Sequence, residues 1–502
     1  MFGRDRLCAV VAARTAREMA PQLQRALRHT RTVELRLDWL HSDEERNRFC
    51  GWLAEHRPQA TLIATCRGRR AGGHYWGDVG RQLAFLARAA RAGCVWCDVE
   101  RETAEHLSPR QLRSLLCPVR RLVSFHDFRR TPRNLAAVFR RLERCGGDAV
   151  KIAVQASSVA DSLRVLALAR GRRNVVAVPM GEVGLPARVL ALRAGSALAY
   201  APVAQATAPG QVSLEEMKNL YRADKLDRRT RVYGVIGDPV SHSLSPLMHN
   251  VGFQARRMNA VYLPFRVRDL KDFLAAIEPL GIAGFSVTLP HKERILRYLD
   301  DGDPLAIQIG AVNTVVVRGG GKLYGYNTDY VGVLRALERR VCLRGSRVLL
   351  YGAGGAARAV AFALAQGGAV VCVCARRRQQ ARALARAVGG EAVERPRLRR
   401  EFFDAIVNAT PVGMHPRAGQ SPLRAAELNA RLVMDLIYRP RRTRLLALAE
   451  RRGIETVSGV EMFVAQGTAQ WEIWTGVRAP VAAMRRAVFA ALHREERPAG
   501  KP

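Results

Sequence analysis

Lysine is scarce in this chain: seven of the 81 basic residues are Lys and the rest are Arg. Arg replaces Lys as a surface charge, but not where an amine must lose its proton, because guanidinium stays charged. A Lys in an apolar setting therefore stands out, and Lys151 and Lys292 are the two that do. Acidic residues are also few, 44 against 81 basic ones, which leaves a net charge of +37. Such an excess first suggests nucleic acid. The Arg residues, however, are spread over nearly every expected helix, with neither zinc-finger spacing nor a basic low-complexity tail. No specific nucleic-acid partner is expected. No apolar run is long enough to span a membrane, so no membrane partner is expected either. Residues 7–13 are apolar, yet no hydrophobic core with a cleavage site follows. The chain is expected to start almost directly in its fold and to be cytoplasmic. The ten Cys form no framework. Cys94 and Cys97 are three apart in an expected strand and point to opposite faces. Cys372 and Cys374 share a face of an expected buried strand. Both pairs read as reduced apolar cysteines, and no metal is expected. The sequence sets no oligomeric state.

A chain of 502 residues suggests about three domains. Residues 213–231 are polar and charged, the composition of a connector. Before it, short apolar runs recur at 7–12, 32–37, 61–66, 94–99, 121–125, 149–154, 174–179 and 197–201. Helical spacing of apolar residues fills the stretches between them. Eight alternating units predict a (β/α)₈ barrel, which carries its chemistry at the C-terminal strand ends. Glu34 and Arg36 alternate onto one face of the second strand, Arg67 closes the third, and His126 closes the fifth. Lys151, flanked by Val150 and Ile152, points inward from the sixth. Desolvation there favours the neutral amine, which can attack a ketone and form a Schiff base. His126, one strand away, is the expected proton shuttle. Arg36, Arg67 and Arg188 are expected to converge on the same mouth, which suits a carboxylate-bearing substrate.

These residues, with Ser124, Asp127, Asp148, Gly181 to Gly184 and the Ala208 to Gln211 run, resemble type I 3-dehydroquinate dehydratase over 7–212. The resemblance implies that Lys151 forms an imine with the substrate ketone and that His126 removes the adjacent proton and then protonates the departing hydroxyl. It also implies that Glu34, Arg36, Arg67, Arg188, Thr207 and Gln211 hold the carboxylate and hydroxyls. Two positions depart from the family pattern. Ala71 stands before Gly72 and Gly73 where Glu is usual, removing a carboxylate expected to orient His126. Thr207 stands where Ser is usual and keeps the hydroxyl.

After the connector, 231–237 reads as a strand and 244–256 as a helix, with Ser243 and Ser245 at the helix start. Their hydroxyls suit capping or carboxylate binding. Further strands are expected at 261–267, 284–289 and 311–317. Lys292 and Asp329, brought together from separate loops, make either a proton-transfer pair at a carbinol carbon or a plain salt bridge. A strand from Arg347, then Gly352, Gly354 and Ala357, fits the dinucleotide pattern G-x-G-x-x-A in its strand–turn–helix context. The next strand, 369–374, ends in Arg376, Arg377 and Arg378 and not in an acid, which favours NADP.

Together with Asn408 to Met414, Asp435 to Tyr438 and Gly459 to Gln466, these motifs resemble shikimate dehydrogenase over 231–490. The resemblance implies Lys292 and Asp329 as the catalytic pair. It implies Ser243, Ser245, Thr288, Asn313, Tyr438 and Gln466 on shikimate. On the cofactor it implies Gly352, Ala353, Gly354, Gly355, Ala356, Arg376, Arg377, Leu436 and Gly459. Ala375 replaces a usual Asn. The expected layout is a dehydratase barrel at 1–212, a linker at 213–230 and a shikimate-binding domain at 231–340 completed by 458–490. A Rossmann NADP-binding domain at 341–457 and a polar tail at 491–502 complete it. The expected architecture is therefore α/β throughout: a barrel followed by a two-domain dehydrogenase. Its small-molecule substrates are 3-dehydroquinate, 3-dehydroshikimate and shikimate. Three other readings stay open: another Schiff-base lyase fused to a quinate-preferring dehydrogenase, a barrel made inert by Ala71, and a nucleic-acid binder retaining an enzyme fold.

Overall fold

The computed structural model describes residues 2–3, 5–204, 211–338 and 340–496. The chain divides into two compact units, Met1–Thr230 with Pro264–Leu280, and Arg231–Leu263 with Gly281–Pro502.

Eight parallel strands build the core of the first unit. They are β1 (Leu7–Val11), β2 (Thr32–Arg36), β3 (Thr61–Thr65), β4 (Trp96–Glu100), β5 (Arg120–Asp127), β6 (Ala149–Gln155), β7 (Val175–Met180) and β8 (Ala199–Pro202). Each pairs with its sequence neighbour and β8 returns to β1. At the β7–β8 seam the Ala197 N–H donates to the Val175 carbonyl at 2.7 Å in place of a ladder. The result is a nearly closed (β/α)₈ barrel. Its strands are buried along almost their whole length, which is why they read as continuous apolar runs and not as alternating ones. Short polar caps start the helices. Thr15, Ser42, Asp78, Ser108 and Ser158 each accept a backbone N–H of the first turn, and Thr15 and Ser108 complete capping boxes.

Two six-stranded sheets follow. The first contains β9 (Arg231–Gly237), β10 (Ala260–Arg266), β11 (Ile282–Val287), β12 (Asp301–Gly302), β13 (Thr314–Val317) and β14 (Leu323–Tyr326). Its order is β10-β9-β11-β13-β14-β12, with β9 parallel to β11 and β13 antiparallel to both its neighbours. The second contains β15 (Arg347–Tyr351), β16 (Val370–Cys374), β17 (Glu391–Ala392), β18 (Phe403–Asn408), β19 (Ala430–Asp435) and β20 (Glu455–Val457). All its pairings are parallel, in the order β17-β16-β15-β18-β19-β20. Strand order reverses between β15 and β18, the point at which doubly wound sheets bind nucleotides.

Three expectations need correction. The stretch expected as a linker at 213–230 is not an extended connector. It forms helical turns at Glu216–Leu220 and Ala223–Lys225, and Leu214, Met217, Tyr221 and Ala223 are buried. Apolar residues at helical spacing dock the segment despite its charge. The segment expected as a polar tail at 491–502 begins as helix: Val481–Glu496 is continuous, with Ala491 and Leu492 buried. Cys94 precedes β4 and is not part of it. All ten cysteines are free. Among the described residues no helix is long and apolar enough to cross a membrane.

Candidate active sites

Inward positions of adjacent barrel strands face one another, and the register explains the first site. Ser124 on β5 pairs with Lys151 on β6, and His126 with Ala153. Arg36 pairs with Thr65, two residues before Arg67. One cavity is lined by Glu34, Arg36, Arg67, His126, Lys151, Tyr200 and Gln211, among others. Lys151 is buried, but its setting is not the apolar one expected. Its Nζ lies 3.0 Å from Glu34 Oε1 and 3.1 Å from Asp98 Oδ2. Val150 and Ile152 flank it only along the chain, because alternation turns them to the other face of the strand.

Asp98, on β4, joins the whole cluster. It accepts from Lys151, from Arg67 Nη2 at 2.9 Å and from the Ser124 hydroxyl at 2.5 Å. The cations beside it hold its carboxyl below the usual range against a burial that acts the other way. Arg67 Nη1 is 2.8 Å from His126 Nδ1. Burial first, then the charges of Arg67, Lys151 and Arg36, push the imidazole well below its ordinary value, so His126 is neutral near neutral pH. Arg67 contacts the imidazole that a carboxylate at position 71 was expected to orient. Ala71 itself is buried in the turn Arg69–Ala71.

The other expected binding residues divide. Arg36 faces the cavity but is held by both oxygens of Asp38, at 2.9 and 2.8 Å. Gln211 lines the cavity. Arg188 does not: it is buried in the helix Leu185–Val189, donates to the Gly181 carbonyl at 3.2 Å, and is lowered by burial to about 10. Of the three Arg expected to converge on one mouth, Arg36 and Arg67 line this cavity. Thr207 lies outside the described residues.

In the second half, Lys292 Nζ and Asp329 Oδ2 meet at 2.6 Å. Asn313 donates to Asp329 Oδ1 at 2.8 Å and to the Thr328 hydroxyl at 3.1 Å, while its carbonyl accepts the Thr328 N–H at 2.7 Å. Its amide is spent on fixing the Asp329 loop. The Ser245 N–H donates to Ser243 Oγ at 3.2 Å, at the start of the helix Ser245–Ala255. Behind them the Tyr262 hydroxyl and Ser286 Oγ lie 2.6 Å apart, and Ser286 donates to Gln470 at 2.8 Å. Thr288 follows β11 directly. Tyr438 stacks on Phe463 at 4.4 Å, and Gln466 donates to the Phe463 carbonyl at 3.0 Å.

His249 sits in this half with no expected role. It is fully buried and stacks on Tyr262 at 4.4 Å. Burial lowers it to about 3, and Gln470 nearby offsets only part of that. The folded chain thus keeps it neutral while the unfolded chain protonates it below its ordinary value of 6.5. Stability is unaffected above pH 6.5 and falls by about 1.4 kcal/mol per pH unit from there towards pH 3. His249→Phe should shift the acid unfolding midpoint of this half to lower pH, read from the fluorescence of neighbouring Trp471 and Trp474. An unmoved midpoint would assign the acid limit to another group.

The dinucleotide turn follows β15. Gly352 has φ +129°, and a Cβ there would sit 3.0 Å from the Ala409 carbonyl, so glycine is required on both counts. Ala353 follows, and Gly354 caps the helix Gly355–Gln366 without a side chain, leaving first-turn N–H groups, Ala356 included, for an anion. Nothing crowds a Cβ built on Gly354. Arg376 and Arg377 follow β16 and are exposed, next to the helix Arg378–Ala387. A Cβ on Gly459 would sit 2.4 Å from the Leu436 carbonyl, and this close approach brings those two expected cofactor residues together. An uncapped helix start, an open glycine turn and two exposed guanidinium groups fit a dinucleotide with an extra phosphate.

Comparison with known proteins agrees with this geometry. Residues 7–228 match the type I 3-dehydroquinase family. Residues 235–315 match the shikimate dehydrogenase substrate binding domain, and 459–489 the shikimate 5'-dehydrogenase C-terminal domain. A chloroplastic bifunctional 3-dehydroquinate dehydratase/shikimate dehydrogenase of Arabidopsis thaliana is 36% identical over 499 residues, 94% of this chain and 82% of the relative. A shikimate dehydrogenase (NADP(+)) of Methanosarcina acetivorans is 45% identical over 277 residues, 52% of this chain and 99% of its own. A crystal structure of a shikimate dehydrogenase in complex with NADP+ is 39% identical with a TM-score of 0.50, covering 53% of this chain and 97% of that one.

Proposed function

The chain belongs to the bifunctional 3-dehydroquinate dehydratase/shikimate dehydrogenase family, and from that premise we propose that Lys151 with His126 carries its first reaction and Lys292 with Asp329 its second. It dehydrates 3-dehydroquinate to 3-dehydroshikimate and reduces that product to shikimate with NADPH.

In the barrel, Lys151 gives up a proton to add to the substrate ketone, and Glu34 and Asp98 at 3.0 and 3.1 Å are the acceptors at hand. The carbinolamine loses water to give the imine. Neutral His126 removes the proton from the adjacent carbon, the electron pair moves toward the imine, and the resulting imidazolium returns the proton to the departing hydroxyl. Arg67, Arg36 and Gln211 line the space in which the carboxylate and hydroxyls lie. Arg188 and Thr207 complete that set in this reading.

In the dehydrogenase, the nicotinamide supplies the hydride. Lys292 donates the proton to the ketone oxygen as it becomes a hydroxyl, and Asp329, itself fixed by Asn313, holds the ammonium in place. Ser243, Ser245, Thr288, Tyr438 and Gln466 bind the ring substituents. The Gly352–Ala356 backbone, Leu436 and Gly459 seat the cofactor, and Arg376 with Arg377 take its extra phosphate. Ten free cysteines suit a reducing compartment, and we place the chain in the cytoplasm. Both activities recovered in an organelle pellet on cell fractionation would overturn that placement.

The observation that carries this reading is the pair of constellations, buried Lys151 with its carboxylates beside His126, and half-buried Lys292 on Asp329. Given 3-dehydroquinate and NADPH together, the purified chain should oxidise NADPH and accumulate shikimate. Oxidation that starts only when 3-dehydroshikimate is supplied would mean that Ala71 has made the barrel inert.

A further inference from the structure

The ring of Tyr200, on β8, lies beneath the amine that forms the imine: Lys151 Nζ is 4.0 Å from its centroid. The residue lines the same cavity as Lys151 and His126. Its hydroxyl is buried and has no hydrogen-bond partner among the described residues. A buried Tyr hydroxyl ordinarily finds a partner, and leaving one unpaired costs stability. The neighbours in this part of the barrel, Cys8, Val10, Val176 and Leu198, are apolar and would accept a Phe ring. The hydroxyl is therefore unexplained by packing.

We propose that the Tyr200 hydroxyl donates a hydrogen bond to the ketone oxygen of the dehydratase substrate while Lys151 attacks that carbon, an inference that rests on Lys151 as the imine-forming residue. Nζ lies 4.0 Å from the ring centroid, so a ketone carbon that bonds to it can carry its oxygen toward the hydroxyl on that ring. In the addition, the nitrogen lone pair forms the N–C bond and the C=O π pair moves onto oxygen, where negative charge develops. The oxygen takes one proton from the attacking nitrogen and a second from whichever of Glu34 and Asp98 accepted the ammonium proton, and it departs as water as the nitrogen lone pair forms the C=N bond. Tyr200 keeps its own proton throughout. Burial pushes that hydroxyl well above its ordinary value, and the Cys8 thiol and Glu34 carboxylate push the same way, so it acts as a donor and not as a base. Arg36 and Arg67, which also face the cavity, each already hold a carboxylate, Asp38 and Asp98.

Tyr200→Phe in the full chain removes the hydroxyl and keeps the ring. Borohydride added with 3-dehydroquinate reduces the imine, and mass spectrometry follows the adduct on Lys151. The expected result is adduct formation slowed on the order of tenfold or more, with kcat/KM for dehydration lowered in step. NADPH oxidation on supplied 3-dehydroshikimate should not change. Adduct formation at the unaltered rate in Y200F overturns the role of the hydroxyl and leaves Lys151 in place. Absence of any adduct in the unaltered protein overturns the Lys151 assignment itself.

Discussion

Lys151→Arg is expected to lower dehydration of 3-dehydroquinate by roughly 10⁴-fold or more while reduction of supplied 3-dehydroshikimate stays unchanged. Guanidinium keeps the positive charge that Glu34 and Asp98 pair with, but it cannot become the neutral nucleophile that imine formation needs. Lys151→Ala should abolish dehydration as well, with a second consequence. It removes the ammonium between two buried carboxylates, and breaking such a buried pair costs on the order of 3–5 kcal/mol. Part of that is offset, because Asp98 keeps Arg67 and Ser124, and Glu34 keeps the Thr65 hydroxyl at 2.9 Å. The arginine variant thus separates chemistry from stability, and thermal melts of both variants show which effect the alanine suffers. Dehydration that survives in Lys151→Arg removes the Schiff base from the mechanism. Loss of both activities in that variant would sink the independence of the two sites.

Most of the architecture was legible because the motifs that carry it are local. Eight apolar runs mark eight barrel strands with ends displaced by only one or two residues, and the glycine turn at Gly352 lies between a strand and a helix as its context required. What escaped is what depends on partners distant in the chain. Asp98 is the plainest case. It shares a face of β4 with Trp96 and Glu100, and an acid at an inward barrel position was a readable signal. Its importance, however, comes from Lys151, Arg67 and Ser124, which the barrel alone brings to it. Asn313 was assigned to substrate, and the fold adds what the sequence did not show, that its amide also holds Thr328 and Asp329. The 213–230 segment shows the reverse error: counting charges hid the few apolar residues that dock it.

Lys292→Ala should lower reduction of 3-dehydroshikimate by about 10²–10⁴-fold, mainly in kcat, with dehydration untouched. The ammonium is the proton donor held on Asp329, and without it the alkoxide formed by hydride transfer must take its proton from solvent. Asp329→Asn tests the other half of the pair. It preserves shape but replaces the oxygen 2.6 Å from Nζ with a neutral amide, and it leaves Asn313 facing a second amide where it had a carboxylate. The ammonium then loses its anchor, so the same kinetic signature should appear in weaker form. NADPH binding, followed by nicotinamide fluorescence, should be unchanged in both variants, because Gly352, Gly354 and the two exposed Arg are untouched. A plain salt bridge would behave differently: Lys292→Ala would then lower the melting temperature of this half and leave kcat within a few-fold of its starting value. The split between kcat and thermal stability therefore decides whether Lys292 handles a proton or only ties two loops together.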